Sequence, residues 1–93
     1  MYIILVYDIC TLEKKGQRRL NKIMKLCRCY LHHSQKSVFE GNITEAKYRE
    51  LKTRIKEIID NKEDSLFFYI VERVQQIKRE NLGKETDPTA NIL

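Results

Sequence analysis

The sequence predicts an α+β fold: a ferredoxin-like βαββαβ sandwich in which two helices cover one face of a small antiparallel sheet. Three observations predict it. Two strand-like apolar runs, Tyr2-Ile3-Ile4-Leu5-Val6-Tyr7 and Leu66-Phe67-Phe68-Tyr69-Ile70-Val71, bracket the pattern. Two segments of helical period lie between those runs, and a stretch of strand character separates the two helices. The whole is 93 residues long, which suits one domain that buries only a limited share of its surface. A hydrophobic content of 42%, with one Pro and three Gly, argues against a disordered or fibrous chain.

The first strand is expected over residues 2 to 9, with Ile3, Leu5, Tyr7 and Ile9 on one face and Ile4 and Val6 on the other. A helix follows from Lys14 to Tyr30, on the apolar stripe Leu20, Ile23, Met24, Cys27 and Tyr30, while Arg18, Lys22 and Lys25 share a cationic face. His33 to Glu40 reads as a second strand ended by a Gly41-Asn42 turn, with room for a further short strand on either side of Glu40 to Thr44. Thr44 is an expected N-cap for a helix reaching Asp60, with the stripe Tyr48, Leu51, Ile55, Ile58 and Ile59. After a polar connection at 61–65 comes the last strand. Residues 1–75 are therefore assigned to the domain and 76–93 to an arm that can add a strand to a neighbouring subunit's sheet edge. Both strong strands are apolar on both faces, yet two helices cover only one side of the sheet, so a face-to-face homodimer is expected.

With 18 Lys and Arg against 13 Asp and Glu, the net charge is +5 and the pI near 9.2, which favours polyanionic partners, although many small basic proteins bind none. The apolar start is interrupted by Asp8 and has neither a basic leader nor a small-residue cleavage site. A cytoplasmic protein with no membrane partner is expected. Cys10, Cys27 and Cys29 are an odd set without paired spacing, which fits a reducing compartment. Cys27 and Cys29, two apart on a helix, face different ways and make a poor zinc site with His32 and His33.

Asp8 is the most informative residue, an anion closing an apolar strand. It reads either as a turn residue or as a ligand for a hard cation, Mg²⁺ or Mn²⁺. Lys14, Lys15, Arg18, Arg19, Lys22 and Lys25 begin just after the Asp8 loop. They read either as a solvated helix face or as phosphate contacts, which would bind without sequence preference and weaken with salt. Lys36 and Ser37 offer an ammonium and a hydroxyl to a phosphate oxygen. His32 and His33 could serve as acid or base, though a pair at a strand entrance is more often structural. No Ser/His/Asp spacing or Gly-rich phosphate loop is present, so any phosphodiester hydrolysis would be metal-assisted attack by water.

Three blocks, Val6-Tyr7-Asp8-Ile9, the basic helix Lys14 to Lys25, and Ser34-Gln35-Lys36-Ser37-Val38-Phe39-Glu40-Gly41, resemble the CRISPR-associated protein 2 family over roughly residues 1 to 73. The resemblance implies a ferredoxin-like homodimer in which Asp8 of each protomer faces the dyad and shares one Mg²⁺. It implies an endonuclease acting on RNA or double-stranded DNA, and a prokaryotic partner of the CRISPR integrase in spacer acquisition. Asp8 matches the family's metal-binding aspartate, Arg18 and Arg19 its helix basics, and Ser37 and Phe39 its second-strand residues near the cleft, with Tyr7 beside them. The chain departs from the family in having no glycine in Cys29-Tyr30-Leu31-His32-His33. Two other readings stay open: a non-catalytic DNA-binding adaptor, and a toxin-like ribonuclease of related fold akin to the virulence-associated protein D group.

Overall fold

The computed structural model describes residues 1–73 and 76–84. The element order is β1 (Tyr2–Asp8), α1 (Lys14–Arg28), β2 (His32–Gln35), β3 (Val38–Asn42), α2 (Glu45–Ile58) and β4 (Ser65–Val71). All pairings are antiparallel, in the order β2-β3-β1-β4, so this is the expected βαββαβ topology. β1 is central, pairing with β3 on one side and β4 on the other, as its two-sided apolar pattern requires. Its Leu5 stands between Phe39 of β3 and Phe68 of β4.

The two faces of the sheet differ as the alternation in β1 requires. Ile3, Leu5 and Tyr7 pack with Phe39 against Ile23 and Cys27 of α1 and Leu51 and Ile55 of α2. Burial of each large aliphatic side chain here contributes roughly 1.5–3 kcal/mol. On the opposite face Tyr2, Ile4, Val6 and Asp8 share one parity. Cross-strand neighbours extend that face through Val38 and Glu40 of β3 and Phe67 and Tyr69 of β4. Phe67 and Tyr69 are 59% and 58% exposed, so this second face is largely open on its β4 side.

One sequence expectation is corrected. Residues 33–40 are not a single strand; the chain reverses at Lys36-Ser37 between β2 and β3, and Gly41-Asn42 continues β3 instead of turning. The hairpin wins because Val38 and Phe39 can then face β1 directly, in register with Val6 and Leu5. The glycine-free stretch 29–33 closes α1 without left-handed backbone: Cys29 remains right-handed and the Leu31 amide donates to the Cys27 carbonyl at 2.8 Å. Thr44 caps α2 as expected, accepting from the Lys47 amide at 3.2 Å. Among the described residues no helix is long and apolar enough to cross a membrane. Of the expected arm, 76–84 are described and 85–93 lie outside the described residues.

Candidate functional site

The site is built at the C-terminal end of β1. Asp8 ends that strand opposite Ser65 of β4, on the open-face parity, and is exposed. Its carboxylate has no hydrogen-bond or ion-pair partner among the described residues. One residue earlier, Tyr7 turns the other way, into the core. Its hydroxyl donates to the Lys36 carbonyl at 2.8 Å and its amide to the Ser37 carbonyl at 3.1 Å. These two bonds draw the β2–β3 turn to the Asp8 end of the sheet, with Lys36 and Ser37 exposed beside it. His33 supports the same turn, its Nε2 lying 3.2 Å from the Lys36 carbonyl while its ring stacks on Phe39 at 4.3 Å. Phe39 itself is fully buried, so Tyr7 and Phe39 lie beneath the site and not in an open cleft. Burial, with a smaller contribution from Cys27, raises the Tyr7 hydroxyl above its ordinary value and keeps it a donor.

α1 starts at the same end. Gly16 allows this, because a Cβ there would fall 1.8 Å from the Cys10 carbonyl oxygen. The helix runs Lys14–Arg28 with no acidic residue. Lys14, Lys15, Arg18, Lys22 and Lys25 are all exposed, and none has an ion-pair partner among the described residues. α2 carries cations too, but pairs three of them locally: Arg49 with Glu45 at 2.6 Å, and Lys47 and Arg54 with Glu50 at 3.7 and 3.6 Å, while Lys52 lies over the Tyr48 ring at 4.6 Å. Unpaired positive potential is therefore concentrated on α1.

Arg19 differs from its neighbours. Its guanidinium grips Asp64 with two bonds, Nε at 2.7 Å and Nη2 at 3.1 Å. Asp64 also accepts from the Cys10 amide at 3.1 Å and the Asp60 amide at 2.9 Å, and its side chain is wholly buried. Burial alone would raise this carboxyl, but the Arg19 and amide hydrogen bonds outweigh it and hold Asp64 below the usual range. The cluster fastens α1 and the start of β4 to the segment following Asp8. Arg19 thus positions the cationic helix, while its neighbours carry the outward-facing charge.

Sequence reasoning missed a second buried carboxylate, Glu40, which accepts from the Tyr2 hydroxyl at 2.6 Å and the Ser34 hydroxyl at 2.7 Å and pairs with Arg79. Only its place in a strand, where a lone acid interrupts apolar residues, could have marked it. Cys27 is a core residue whose thiol burial pushes up to about 12, whereas Cys29 is exposed. Among the described residues no group of three His, Cys, Asp or Glu could hold a metal ion. One chain thus offers Asp8 as a single oxygen ligand, a donor suited to a hard divalent cation that keeps most of its waters.

The family model for CRISPR associated protein Cas2 matches residues 1–79. The chain is 47% identical over 91 residues to the CRISPR-associated endoribonuclease Cas2 2 of Moorella thermoacetica, spanning 98% of this chain and 100% of that protein. It is 44% identical over 93 residues to the CRISPR-associated endoribonuclease Cas2 of Dictyoglomus turgidum, spanning 100% of each. The crystal structure of Streptococcus pyogenes Cas2 at pH 6.5 matches with a TM-score of 0.79 and 38% identity, over 89% of this chain and 100% of that one.

Proposed function

The chain belongs to the CRISPR-associated Cas2 family, and from that premise we propose that it serves CRISPR spacer acquisition as a homodimer, binding nucleic acid and acting as a Mg²⁺-dependent endonuclease. The observation that carries this reading is the juxtaposition of a free, exposed carboxylate, Asp8, with the start of a helix whose cations, Arg19 apart, have no ion-pair partner among the described residues. Phosphate contacts fall to Lys14, Lys15, Arg18, Lys22 and Lys25, with Lys36 and Ser37 completing the surface across the strand end. Arg19 acts through its hold on Asp64. Contacts of this kind read the backbone and not the bases, so both RNA and duplex DNA are candidate substrates.

The open sheet face supports the dimer. Ile4, Val6, Phe67 and Tyr69 form an apolar surface that a second copy would cover, and a two-fold there brings two Asp8 carboxylates to one rim. Among the described strands β4 lies at the sheet edge, and the arm at 76–93, beyond the point where its Arg79 meets Glu40, is the segment proposed to pair with that edge in the partner. Asp8 from each protomer would hold Mg²⁺, or Mn²⁺, which supplies a Lewis acid that activates water for attack on the phosphodiester. The CRISPR integrase as partner, and a prokaryotic cytoplasmic setting, are parts of the same proposal.

Cleavage of labelled single-stranded RNA and duplex DNA, with and without Mg²⁺, tests it in wild type and Asp8→Ala after both are shown to be dimeric. Metal-dependent cleavage that disappears in the variant is expected. Binding without cleavage, or cleavage surviving in Asp8→Ala, rejects the nuclease assignment and favours the non-catalytic adaptor.

A further inference from the structure

Glu40 sits in the middle of the sheet's open face, directly opposite Ile4 of β1, with its side chain only 6% exposed. A carboxylate buried there is tolerable only if its oxygens are fully engaged. Three separate segments engage them: Tyr2 of β1 on Oε1, Ser34 of β2 on Oε2, and Arg79, beyond β4, again on Oε1. Burial raises the carboxyl, but the Ser34, Tyr2 and Arg79 hydrogen bonds prevail and keep it ionised. Tyr2 is 7% exposed although it lies on the side away from the helices. Phe67 and Tyr69, on the same face but toward β4, are left bare. The face is thus divided into an end that the chain's own tail covers and an end that it leaves open.

We infer that Glu40, with the Tyr2 and Ser34 hydroxyls, is a guanidinium-binding site whose ligand is Arg79, and that this clasp fastens residues 76–84 across the sheet as the rim of the dimer surface. Tyr2 and Ser34 orient the carboxylate, and among the described residues Arg79 is the cation that pairs with the buried charge. A fastened rim excludes water from the apolar patch beside it, the condition under which such a patch contributes most to association. The clasp stands on this chain alone; its role in assembly rests on the dimer proposed above.

Hydrogen exchange of the amides in 76–84, followed by mass spectrometry on the full chain, tests the clasp in wild type, Glu40→Gln, Arg79→Met and the double variant. Each single change is expected to speed exchange about tenfold, as loss of a hydrogen bond between charged groups implies, and the double change no further. Unchanged exchange in Arg79→Met, or additive effects in the double variant, overturns the clasp. If Glu40→Gln does not fold, Arg79→Lys decides beside Arg79→Met: partial recovery of protection supports the clasp and none refutes it. Sedimentation equilibrium then reads assembly, where Arg79→Met is expected to raise the dimer dissociation constant about tenfold. An unchanged constant overturns the rim role. A wild type that is monomeric refutes the dimer instead, with the exchange result still standing.

Discussion

Replacing Arg19 with Ala should destabilise the fold far more than replacing any other cation of α1. The change removes two of the four hydrogen bonds received by Asp64, a carboxylate with no solvent exposure, and leaves it only the Cys10 and Asp60 amides. Breaking a buried ion pair by deleting one partner costs about 3–5 kcal/mol. Arg19 keeps 19% of its side-chain surface in water, which places the expected loss near the lower end, about 3 kcal/mol. For a domain of this size that corresponds to a fall in Tm of roughly 12–24 °C. Urea titration of wild type, Arg19→Ala and Arg19→Lys at neutral pH measures it. Lys restores the charge but not the two-pronged geometry, so it should recover only part of the loss. The sign with pH follows from the same contacts. The folded carboxyl lies below its ordinary value, so the stabilisation is complete above the ordinary carboxylate pKa and is lost as pH falls through the folded one. The gap between wild type and Arg19→Ala should therefore narrow on acidification. An Arg19→Ala variant within about 0.5 kcal/mol of wild type at neutral pH would refute this account of Arg19, since that is the range of an ordinary surface substitution.

Three further outcomes follow from the same geometry. Arg18→Ala and Lys22→Ala should leave Tm nearly unchanged but each lower the slope of log affinity against log salt by about 1, read by fluorescence anisotropy on a labelled duplex; unchanged slopes would remove α1 from the interface. Gly16→Ala should destabilise by about 3 kcal/mol or more, because its Cβ would meet the Cys10 carbonyl oxygen at 1.8 Å and backbone must move; thermal unfolding checks it, and a neutral result would contradict the close approach. Tyr7→Phe should cost roughly 0.5–1.5 kcal/mol by loss of the bond to the Lys36 carbonyl. It should also loosen the 36–37 turn in hydrogen exchange, and a variant with the wild-type exchange pattern there would show that Tyr7 does not hold it.

Much of this architecture is written in local patterns. Alternation in Tyr2–Asp8 and the 3.6 period of Ile23, Cys27, Leu51 and Ile55 follow from which side chains must leave water, and each is visible within a few residues. The Thr44 cap is equally local. The β2–β3 hairpin was hidden because Lys36-Ser37 has neither Gly, Pro, Asn nor Asp and so signals a turn only weakly, while Gly41-Asn42 imitates a turn but belongs to β3. At the site, Asp8 was legible as a lone anion closing an apolar run. Arg19 was not separable from Arg18, because its difference lies in Asp64, 45 residues away. Glu40 and Arg79 are 39 residues apart, and only the folded sheet brings them together. Such long-range ion pairs leave no period in the sequence; they are specified by tertiary packing.

The proposed nuclease requires two Asp8 carboxylates to share one divalent cation, and Mn²⁺ binding followed by electron paramagnetic resonance measures that stoichiometry. Titrating the purified protein at known chain concentration should give one bound ion per two chains, displaced by Mg²⁺ and absent in Asp8→Asn. One ion per chain, or binding that persists in Asp8→Asn, would contradict the shared site.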